Sequence, residues 1–184
     1  SSKEAITNLL AYHRRFGEVF EYIEQPCQTL PELAEVKSRT AIPIAVDESI
    51  RKHLSADFQG LSRYADVAIL KWQPLGGFGA AHKIADEIGL PVVISSALET
   101  GIGISHGLAL ASSFKELSAA CGLGTVALME SDISSPAVQP LHGYLEVKRR
   151  EPINFERYLA TPERTTHWKQ RIVRTLELIE GRSA

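Results

Sequence analysis

Short, wholly apolar runs that alternate with helical patterns restrict the fold of this chain more than any other feature. Predicted strands cover residues 19–24, 42–46, 66–70 and 90–94, with a further strand near 122–128, and predicted helices cover residues 2–16, 30–38, 78–88 and 101–114. Strands that are apolar throughout are buried on both faces, as in parallel sheets covered by helices. Because the connections are short and no glycine-rich first turn occurs, we predict an α/β fold of the barrel type.

The pattern weakens after residue 130. Serines and prolines punctuate residues 134–140, a lone strand is predicted at 144–147, and apolar residues at near-helical intervals predict a terminal helix over 168–179. The stretch 49–64 between two predicted strands is irregular and partly helical. We therefore expect a partial barrel in residues 1–130 and a tail, made of a strand and a helix, in residues 131–184.

Composition excludes several classes of protein. The 184 residues carry a formal net charge of −2 with both signs interspersed, so no basic surface for nucleic acid is expected. No apolar run is long enough to span a bilayer. Cys27 and Cys121 lie far apart without metal-ligand spacing, which argues against a disulfide framework or a zinc site. We expect a cytoplasmic protein that binds neither membrane nor nucleic acid.

Charged residues stand where three predicted strands end: Glu24, Asp47 and Lys71. In a parallel barrel the carboxyl ends of the strands meet at one mouth, so these side chains should face a common space. Two carboxylates suit Mg²⁺, which takes oxygen ligands, and an ammonium beside them suits reactions that form an anion next to a carboxylate. A single charged residue after a strand is more often a solvated loop residue, but three in successive units favour a common site. Glu48 could replace Asp47 as the ligand.

Four runs in this order carry a family resemblance: YIEQP (22–26), AVDES (45–49), LKWQPLGG (70–77) and ISSALET (94–100). They resemble the muconate-lactonising subgroup of the enolase superfamily, over roughly residues 2–128. The runs SSALET and ACGLGT (120–125) are most similar to the actinobacterial members that form o-succinylbenzoate. The resemblance implies the C-terminal part of a (β/α)7β TIM-like barrel, holding strands four to eight, with a tail that packs on an α+β capping domain.

The resemblance also implies roles for particular residues. Glu24 and Asp47 would be the second and third ligands of Mg²⁺, and Lys71, on the sixth barrel strand, would stabilise an enediolate electrostatically. Four further residues would line the substrate pocket: Ser95, Ser96, Gly76 and Gly77. Alternatives stay open for these four, because Gly76 and Gly77 could simply form a turn with positive φ, and Ser95 and Ser96 could cap a helix.

The activity implied by the resemblance is that of a magnesium-dependent lyase. It would dehydrate 2-succinyl-6-hydroxy-2,4-cyclohexadiene-1-carboxylate to o-succinylbenzoate in menaquinone biosynthesis. Racemisation of N-acylamino acids or epimerisation of dipeptides is the alternative, because the same enediolate can be reprotonated. A non-catalytic fragment is a second alternative.

Family members carry three features upstream of the part that this chain resembles: the capping domain, a Lys-x-Lys pair that supplies the acid/base lysine, and a first metal-binding aspartate. We expect Ser1 to follow that aspartate and the chain alone to be inactive. Its partner besides the small carboxylate substrate would be the N-terminal half, or a second copy of itself. His53, His82 and His106 fall in helical patterns outside the family runs, so we predict structural positions for them.

Overall fold

The structure is a computed structural model that describes residues 1–52 and 58–181. The chain divides into two compact units, Ser1–Glu151 and Pro152–Ala184. His53 and part of the predicted irregular stretch lie outside the described residues. The predicted division of the family fold at residue 130 stays a prediction.

A parallel sheet forms the centre of the first unit. Its strands are β1 (Ile23–Glu24), β2 (Ile44–Val46), β3 (Val67–Leu70) and β4 (Val92–Ile94), hydrogen-bonded in that order. Beyond β4, a parallel bridge joins Ser95 to Gly122. Consecutive strands are therefore neighbours with the same direction, as in a barrel. The predicted α/β fold of this type is confirmed, and helices separate the strands as the sequence predicts.

The helices of the first unit are α1 (Ser2–Phe16), α2 (Leu30–Arg39), α3 (Glu48–Lys52), α4 (Trp72–Leu75), α5 (Phe78–Ile88) and α6 (Gly101–Ser113). Short 3-10 turns cover Gly17–Val19, Phe58–Arg63 and Thr125–Leu128. Helix α2 begins with a capping box, in which the Thr29 hydroxyl accepts from the Glu32 N–H and the Glu32 carboxylate accepts from Thr29. Helix α5 ends at Gly89, whose left-handed backbone suits glycine.

The two faces of the sheet bury different residues, because successive side chains of a strand point to opposite sides. One face packs against the helices and supplies the large core, including Ile44, Leu70 and Ile94. The other face carries a small apolar cluster of Ala45, Val67, Ile69 and Val93, with Tyr22 and Ala119 packed against it. This second face is the barrel interior, and its residues set the register that positions the site.

Two of the predicted strands differ from the structure. Over residues 122–128 only Gly122 pairs with the sheet, and Thr125–Leu128 is a 3-10 turn. The turn forms because the Thr125 hydroxyl bonds to Ser96, while the N–H of Ala127 bonds back to Gly124. The first strand is shorter than predicted, since the 3-10 turn Gly17–Val19 takes up the start of the predicted range.

The region after residue 130 also differs from its prediction. The predicted strand at 144–147 is absent from the described residues, where Tyr144 makes only a bridge to Leu141. Instead, β5 (Ser134–Ser135) pairs with β6 (Glu151–Pro152). Arg150, 6% exposed, holds this region by donating to the carbonyl oxygens of Pro136, Glu146 and Lys148. A buried guanidinium thus satisfies the carbonyl groups that a strand ladder would have used.

The second unit consists mainly of helix α7 (Pro162–Glu180), preceded by a 3-10 turn, Phe155–Tyr158. The helix is longer than predicted because Thr161 accepts from the Arg164 N–H and Pro162 occupies the first turn. An apolar stripe along α7 is roughly half-exposed and comprises Trp168, Ile172, Val173, Leu176 and Ile179. No helix in residues 1–52 or 58–181 combines the length and apolarity needed to cross a bilayer.

Candidate active site

Three charged side chains extend from the carboxyl ends of adjacent strands. Glu24 stands two residues after Tyr22, and Lys71 two residues after Ile69, so the alternation of the strands carries both to the interior face. Asp47 follows strand β2 in the same register, two residues after Ala45. The geometry of the sheet therefore brings these three side chains together, as the sequence predicts.

Lys71 contacts both carboxylates. Its Nζ donates a short hydrogen bond to Asp47 Oδ2 and lies 3.6 Å from Glu24 Oε1. The side chains of Asp47 and Lys71 are 5% and 19% exposed, whereas that of Glu24 is 43% exposed. The cluster is therefore a largely buried ion pair with a second carboxylate at its open side.

The charge balance of the cluster is negative, with two carboxylates around one ammonium. Burial is the largest influence on Glu24 and raises the pKa of its carboxyl group above the usual value. Lys71 opposes that rise, while Asp47 and Glu48 add to it. A further cation beside Glu24 would relieve the repulsion among these carboxylates.

The structure separates Asp47 from its neighbour Glu48. Asp47 is 4% exposed and bonded to Lys71, whereas Glu48 begins helix α3 and is only partly buried. A carboxylate at the first turn of a helix interacts favourably with the helix dipole, which gives Glu48 a structural role. Of the two alternatives, the geometry favours Asp47 as the residue that points to the common space.

The two adjacent serines have different positions. Ser95 lies two residues after Val93, on the interior face, and donates to Gly122 O at 3.3 Å. Ser96 lies on the opposite face, is 6% exposed, and bonds to Gly122 O at 3.1 Å and Thr125 Oγ1 at 2.6 Å. Neither caps α6, which begins after Thr100. Their predicted contact with substrate stays a prediction, and the position of Ser95 suits it better.

Gly76 and Gly77 form the turn between α4 and α5. Their φ angles are +93° and +111°, and their N–H groups bond back to Gln73 O and Trp72 O respectively. Positive φ is disfavoured for residues with a Cβ, which explains the glycines without a ligand. The turn alternative is therefore what the structure contains, and the predicted substrate role of both residues stays a prediction.

A second polar feature lies between the ends of β3 and β4 and was not predicted. Glu99 is 6% exposed, and neither of its carboxylate oxygens has a hydrogen-bond partner of good geometry in the described part of the chain. Burial raises the pKa of this carboxyl group, while the Ala97 N–H and His106 act in the opposite direction. Glu99 borders a cleft of about 340 Å³ that Trp72 and Gln73 also line.

His82 and His106 both pack against aromatic side chains. His106 stacks on Trp72 with ring centroids 5.1 Å apart, and its Nδ1 lies 2.8 Å from Ile102 O. His82 stacks on Phe114 at 4.4 Å and bonds to Ser113 Oγ. These contacts agree with the predicted structural roles of His82 and His106.

Glu24 and Asp47 fit part of a magnesium site. Both are hard oxygen donors, and they converge on one point that the Lys71 ammonium now contacts. Within residues 1–52 and 58–181, no group of three or more histidine, cysteine, aspartate or glutamate side chains is arranged to hold a metal ion. The residues present would therefore offer two ligands, and water, substrate or another part of the protein would have to complete the coordination.

The first unit is thus a parallel half-barrel with two carboxylates and a lysine at the carboxyl ends of its strands. Residues 3–152 match the family described as enolase C-terminal domain-like, so the chain belongs to that family. The membership predicted from the four sequence runs is confirmed.

Two curated proteins of similar sequence are both named o-succinylbenzoate synthase. The o-succinylbenzoate synthase of Thermobifida fusca is 45% identical over 152 residues, which are 83% of this chain and 48% of the relative. The o-succinylbenzoate synthase of Mycobacterium tuberculosis is 46% identical over 154 residues, 83% of this chain and 47% of the relative. This chain thus spans about half the length of the curated relatives it matches.

The fold is also similar to a solved structure, the substrate-liganded L-Ala-D/L-Glu epimerase from Bacillus subtilis. The TM-score is 0.68 at 25% identity, and the match covers 82% of this chain and 43% of the epimerase. Like the two synthases, the epimerase is matched over less than half of its length.

Sequence reasoning missed two residues of the site region, Gln25 and Glu99. Both stand inside the family runs: Gln25 directly follows Glu24, and Glu99 lies a few residues after strand β4. That adjacency was the available signal. The hydrogen bonds of Gln25 and the burial of Glu99 depend on how the strand ends face each other, which spacing along the chain does not specify.

Proposed function

We propose that this chain supplies the C-terminal half of the active site of a magnesium-dependent lyase that forms o-succinylbenzoate in menaquinone biosynthesis. The observation that carries the proposal is the cluster of Lys71 with Asp47 and Glu24 at the mouth of the half-barrel. The names of relatives at 45% and 46% identity support this reaction over others. A cytoplasmic location fits the free thiols of Cys27 and Cys121.

The reaction is a dehydration of 2-succinyl-6-hydroxy-2,4-cyclohexadiene-1-carboxylate. The C1–H bond breaks, the electron pair passes into the enediolate of the adjacent carboxylate, and the C6 hydroxyl leaves with a proton as water. The ring becomes aromatic. What the protein must supply is a base for the C1 proton, an acid for the hydroxyl and positive charge near the enediolate.

Lys71 suits the last of these roles. Asp47 and Glu24 hold its ammonium at the strand ends, and the side chain is 19% exposed. An ammonium held in place in a site shielded from water stabilises a developing negative charge strongly. We therefore assign Lys71 to electrostatic stabilisation rather than to proton removal.

Glu24 and Asp47 would hold the metal ion. When bound there, Mg²⁺ would neutralise negative charge on the substrate carboxylate. Glu24 is the more accessible ligand, and its repulsion by Asp47 and Glu48 favours a cation at that side. The acid/base lysine and a third ligand are expected from the N-terminal half of the enzyme, and Ser95, Ser96, Gly76 and Gly77 are the proposed substrate contacts.

Reconstitution tests the proposal. The part of the T. fusca synthase that this chain does not match would be co-expressed with the chain, and formation of o-succinylbenzoate would be followed by ultraviolet absorbance with and without Mg²⁺. We expect turnover from the combined parts with Mg²⁺ and none from either part alone. A reconstituted protein that is folded and binds Mg²⁺ but does not convert the substrate would contradict the dehydration.

A second candidate function is epimerisation of dipeptides or racemisation of N-acylamino acids. The similarity to the L-Ala-D/L-Glu epimerase favours it. An ammonium at Lys71 lies on one face of the site, and a lysine on the other face would allow reprotonation from either side. The same reconstituted protein would be assayed by polarimetry, in which racemisation of an N-acylamino acid abolishes the optical rotation and epimerisation of a dipeptide changes it. Epimerisation without dehydration would replace the first candidate, and absence of both would favour a non-catalytic fragment.

A further inference from the structure

Gln25 follows Glu24 directly, at the point where strand β1 leaves the sheet. Its φ angle is +39°, in the left-handed region that residues with a Cβ rarely adopt. Such a conformation persists only where surrounding contacts favour it. Its backbone N–H donates to Ala45 O at 2.8 Å, which is the last ladder bond between β1 and β2 before the turn.

Both the oxygen and the nitrogen of the Gln25 side-chain amide form hydrogen bonds. Oε1 accepts from the backbone N–H of Asp47 at 3.0 Å and of Ser49 at 3.2 Å. Nε2 donates to Cys27 O at 2.9 Å and to Ser49 Oγ at 2.9 Å. A primary amide has two donor hydrogens and two acceptor lone pairs, so these four bonds satisfy it completely.

These bonds link the two strand ends that carry the carboxylates. On one side, Gln25 is covalently attached to Glu24; on the other, it binds the backbone of Asp47 itself. A displacement of Asp47 relative to Glu24 would therefore break or lengthen the Oε1 bonds. The saturated amide thus adds a side-chain link between the two strand ends to the backbone ladder of β1 and β2.

We propose that Gln25 is a positioning residue that sets the distance between the Glu24 and Asp47 carboxylates and thereby the affinity of this site for a divalent cation. The inference rests on the proposed metal site formed by Glu24 and Asp47. Gln25 does not contact the cation or the substrate. It acts through the backbone of Asp47 and through the turn that follows Glu24.

The chemistry of the side chain explains why other residues would not serve. Leucine has a similar size but leaves the N–H groups of Asp47 and Ser49 without their acceptor. Asparagine keeps the amide but is one methylene shorter, so it would not reach Asp47 from the backbone of residue 25. Glutamate would lose both donor bonds and add a charge beside Asp47.

Binding of Mn²⁺, a spectroscopic substitute for Mg²⁺, tests the inference on the reconstituted enzyme, in which the full 184-residue chain is combined with the part of the T. fusca synthase that it does not match. Free Mn²⁺ would be measured by electron paramagnetic resonance for wild type, Gln25→Leu and Gln25→Asn. Gln28→Leu is the matched control, an exposed glutamine in the same loop. Glu24→Gln and Asp47→Asn define the signal of a lost site. Circular dichroism would show which variants keep the fold.

We expect the Mn²⁺ dissociation constant to rise about 10-fold or more in Gln25→Leu and Gln25→Asn, as for other residues that orient metal ligands, while Gln28→Leu matches wild type. If Gln25→Leu does not fold, the Mn²⁺ affinity of Gln25→Asn alone tests the inference. Affinities within about twofold of wild type in folded Gln25 variants would overturn the inference and leave the proposed function intact.

The outcomes separate the two proposals. Wild type that binds Mn²⁺ in an assembly without dehydratase activity would reject the reaction, while the inference about Gln25 would stand on its own affinities. A wild-type assembly with no more Mn²⁺ binding than assemblies that carry Glu24→Gln or Asp47→Asn would overturn the metal site, and the inference with it.

Discussion

Asp47 and Lys71 form an ion pair whose two side chains are 5% and 19% exposed. Removing one member of a buried pair leaves the other charge without compensation, which costs more than the pair contributes when intact. At the scale of single residues, this asymmetry makes Lys71 important for stability as well as for the proposed reaction.

Replacing Lys71 by methionine should therefore destabilise the chain. We expect the free energy of unfolding to fall by about 3 kcal/mol, as for other buried ion pairs that lose one partner. Lys83→Met is the control, because Lys83 forms an exposed pair with Glu87 and the change should stay within about 0.5 kcal/mol. Urea unfolding followed by circular dichroism measures both. Equal changes in the free energy of unfolding for the two variants would show that Lys71 does not stabilise the buried Asp47 carboxylate.

Glu99 provides a test that depends on pH. Burial raises its carboxyl pKa, so the folded chain binds this proton more tightly than the unfolded chain. The stability that this group contributes is complete below the unfolded pKa and is lost as pH rises through the raised folded pKa. We expect Glu99→Gln to stabilise the chain by about 1–2 kcal/mol near pH 8 and by little near pH 4.

Thermal unfolding at several pH values would check this expectation, with the exposed Glu116→Gln as control. A stabilisation by Glu99→Gln that is the same at low and high pH would contradict it, because only the charged carboxylate is penalised by burial. Loss of stability at all pH values would mean that the carboxylate has a partner that the amide cannot replace.

The convergence of Glu24, Asp47 and Lys71 could be predicted from the sequence because each stands where a strand ends, and parallel strands end at one edge. The strand pattern alone left Asp47 and Glu48 as alternatives, whereas the family resemblance implied Asp47, and the structure favours Asp47 as the residue that faces Lys71. Gln25 and Glu99 could not be predicted, because their roles come from hydrogen bonds and burial between segments distant in sequence.

At the scale of elements, helix α6 approaches its surroundings closely through its glycines. A Cβ built on Gly103 would lie 2.6 Å from the Glu99 Cβ, and one on Gly101 would lie 2.1 Å from Ser134 Oγ. Atoms do not approach at these distances, so a side chain at either position would move its neighbour. The small residues of this helix thus allow the loop after β4 and the Ser134 region to pack against its first turn.

Gly103→Ala should destabilise the chain although alanine favours helices. We expect a loss of about 1–3 kcal/mol from overpacking against Glu99, larger than the gain in helix propensity of about 1 kcal/mol. Gly79→Ala in helix α5 is the matched control, because a Cβ there meets nothing within 4 Å. It should be neutral or stabilising. Urea unfolding measures both variants. If Gly103→Ala also stabilises the chain, the Glu99 side chain can move away from the new Cβ at no cost, which would contradict this prediction.

The helices α1 and α5 follow their predicted bounds, since a continuous amphipathic pattern and a terminal glycine define them. The prediction of a strand over 122–128 was wrong because an apolar run near small residues fits a strand or a turn equally well. What decided it was the bond of Thr125 to Ser96, a contact between residues distant in sequence.

At the scale of the whole molecule, the chain spans about half the length of the synthases it matches, and the proposed site contains two metal ligands and one lysine. The proposed reaction needs an acid/base group that the cluster of Glu24, Asp47 and Lys71 does not provide. The activity is therefore a property we propose for the assembled enzyme.

The most direct test of this account is the turnover number for o-succinylbenzoate formation by the reconstituted enzyme, with wild-type chain, Lys71→Met and Lys83→Met. All three would be compared at saturating Mg²⁺ and at equal concentrations of folded protein. We predict that Lys71→Met lowers the turnover number by about 100- to 1000-fold, as expected for a lost electrostatic stabiliser, and that Lys83→Met leaves it unchanged. A folded Lys71→Met enzyme with wild-type turnover would contradict the assignment of this site.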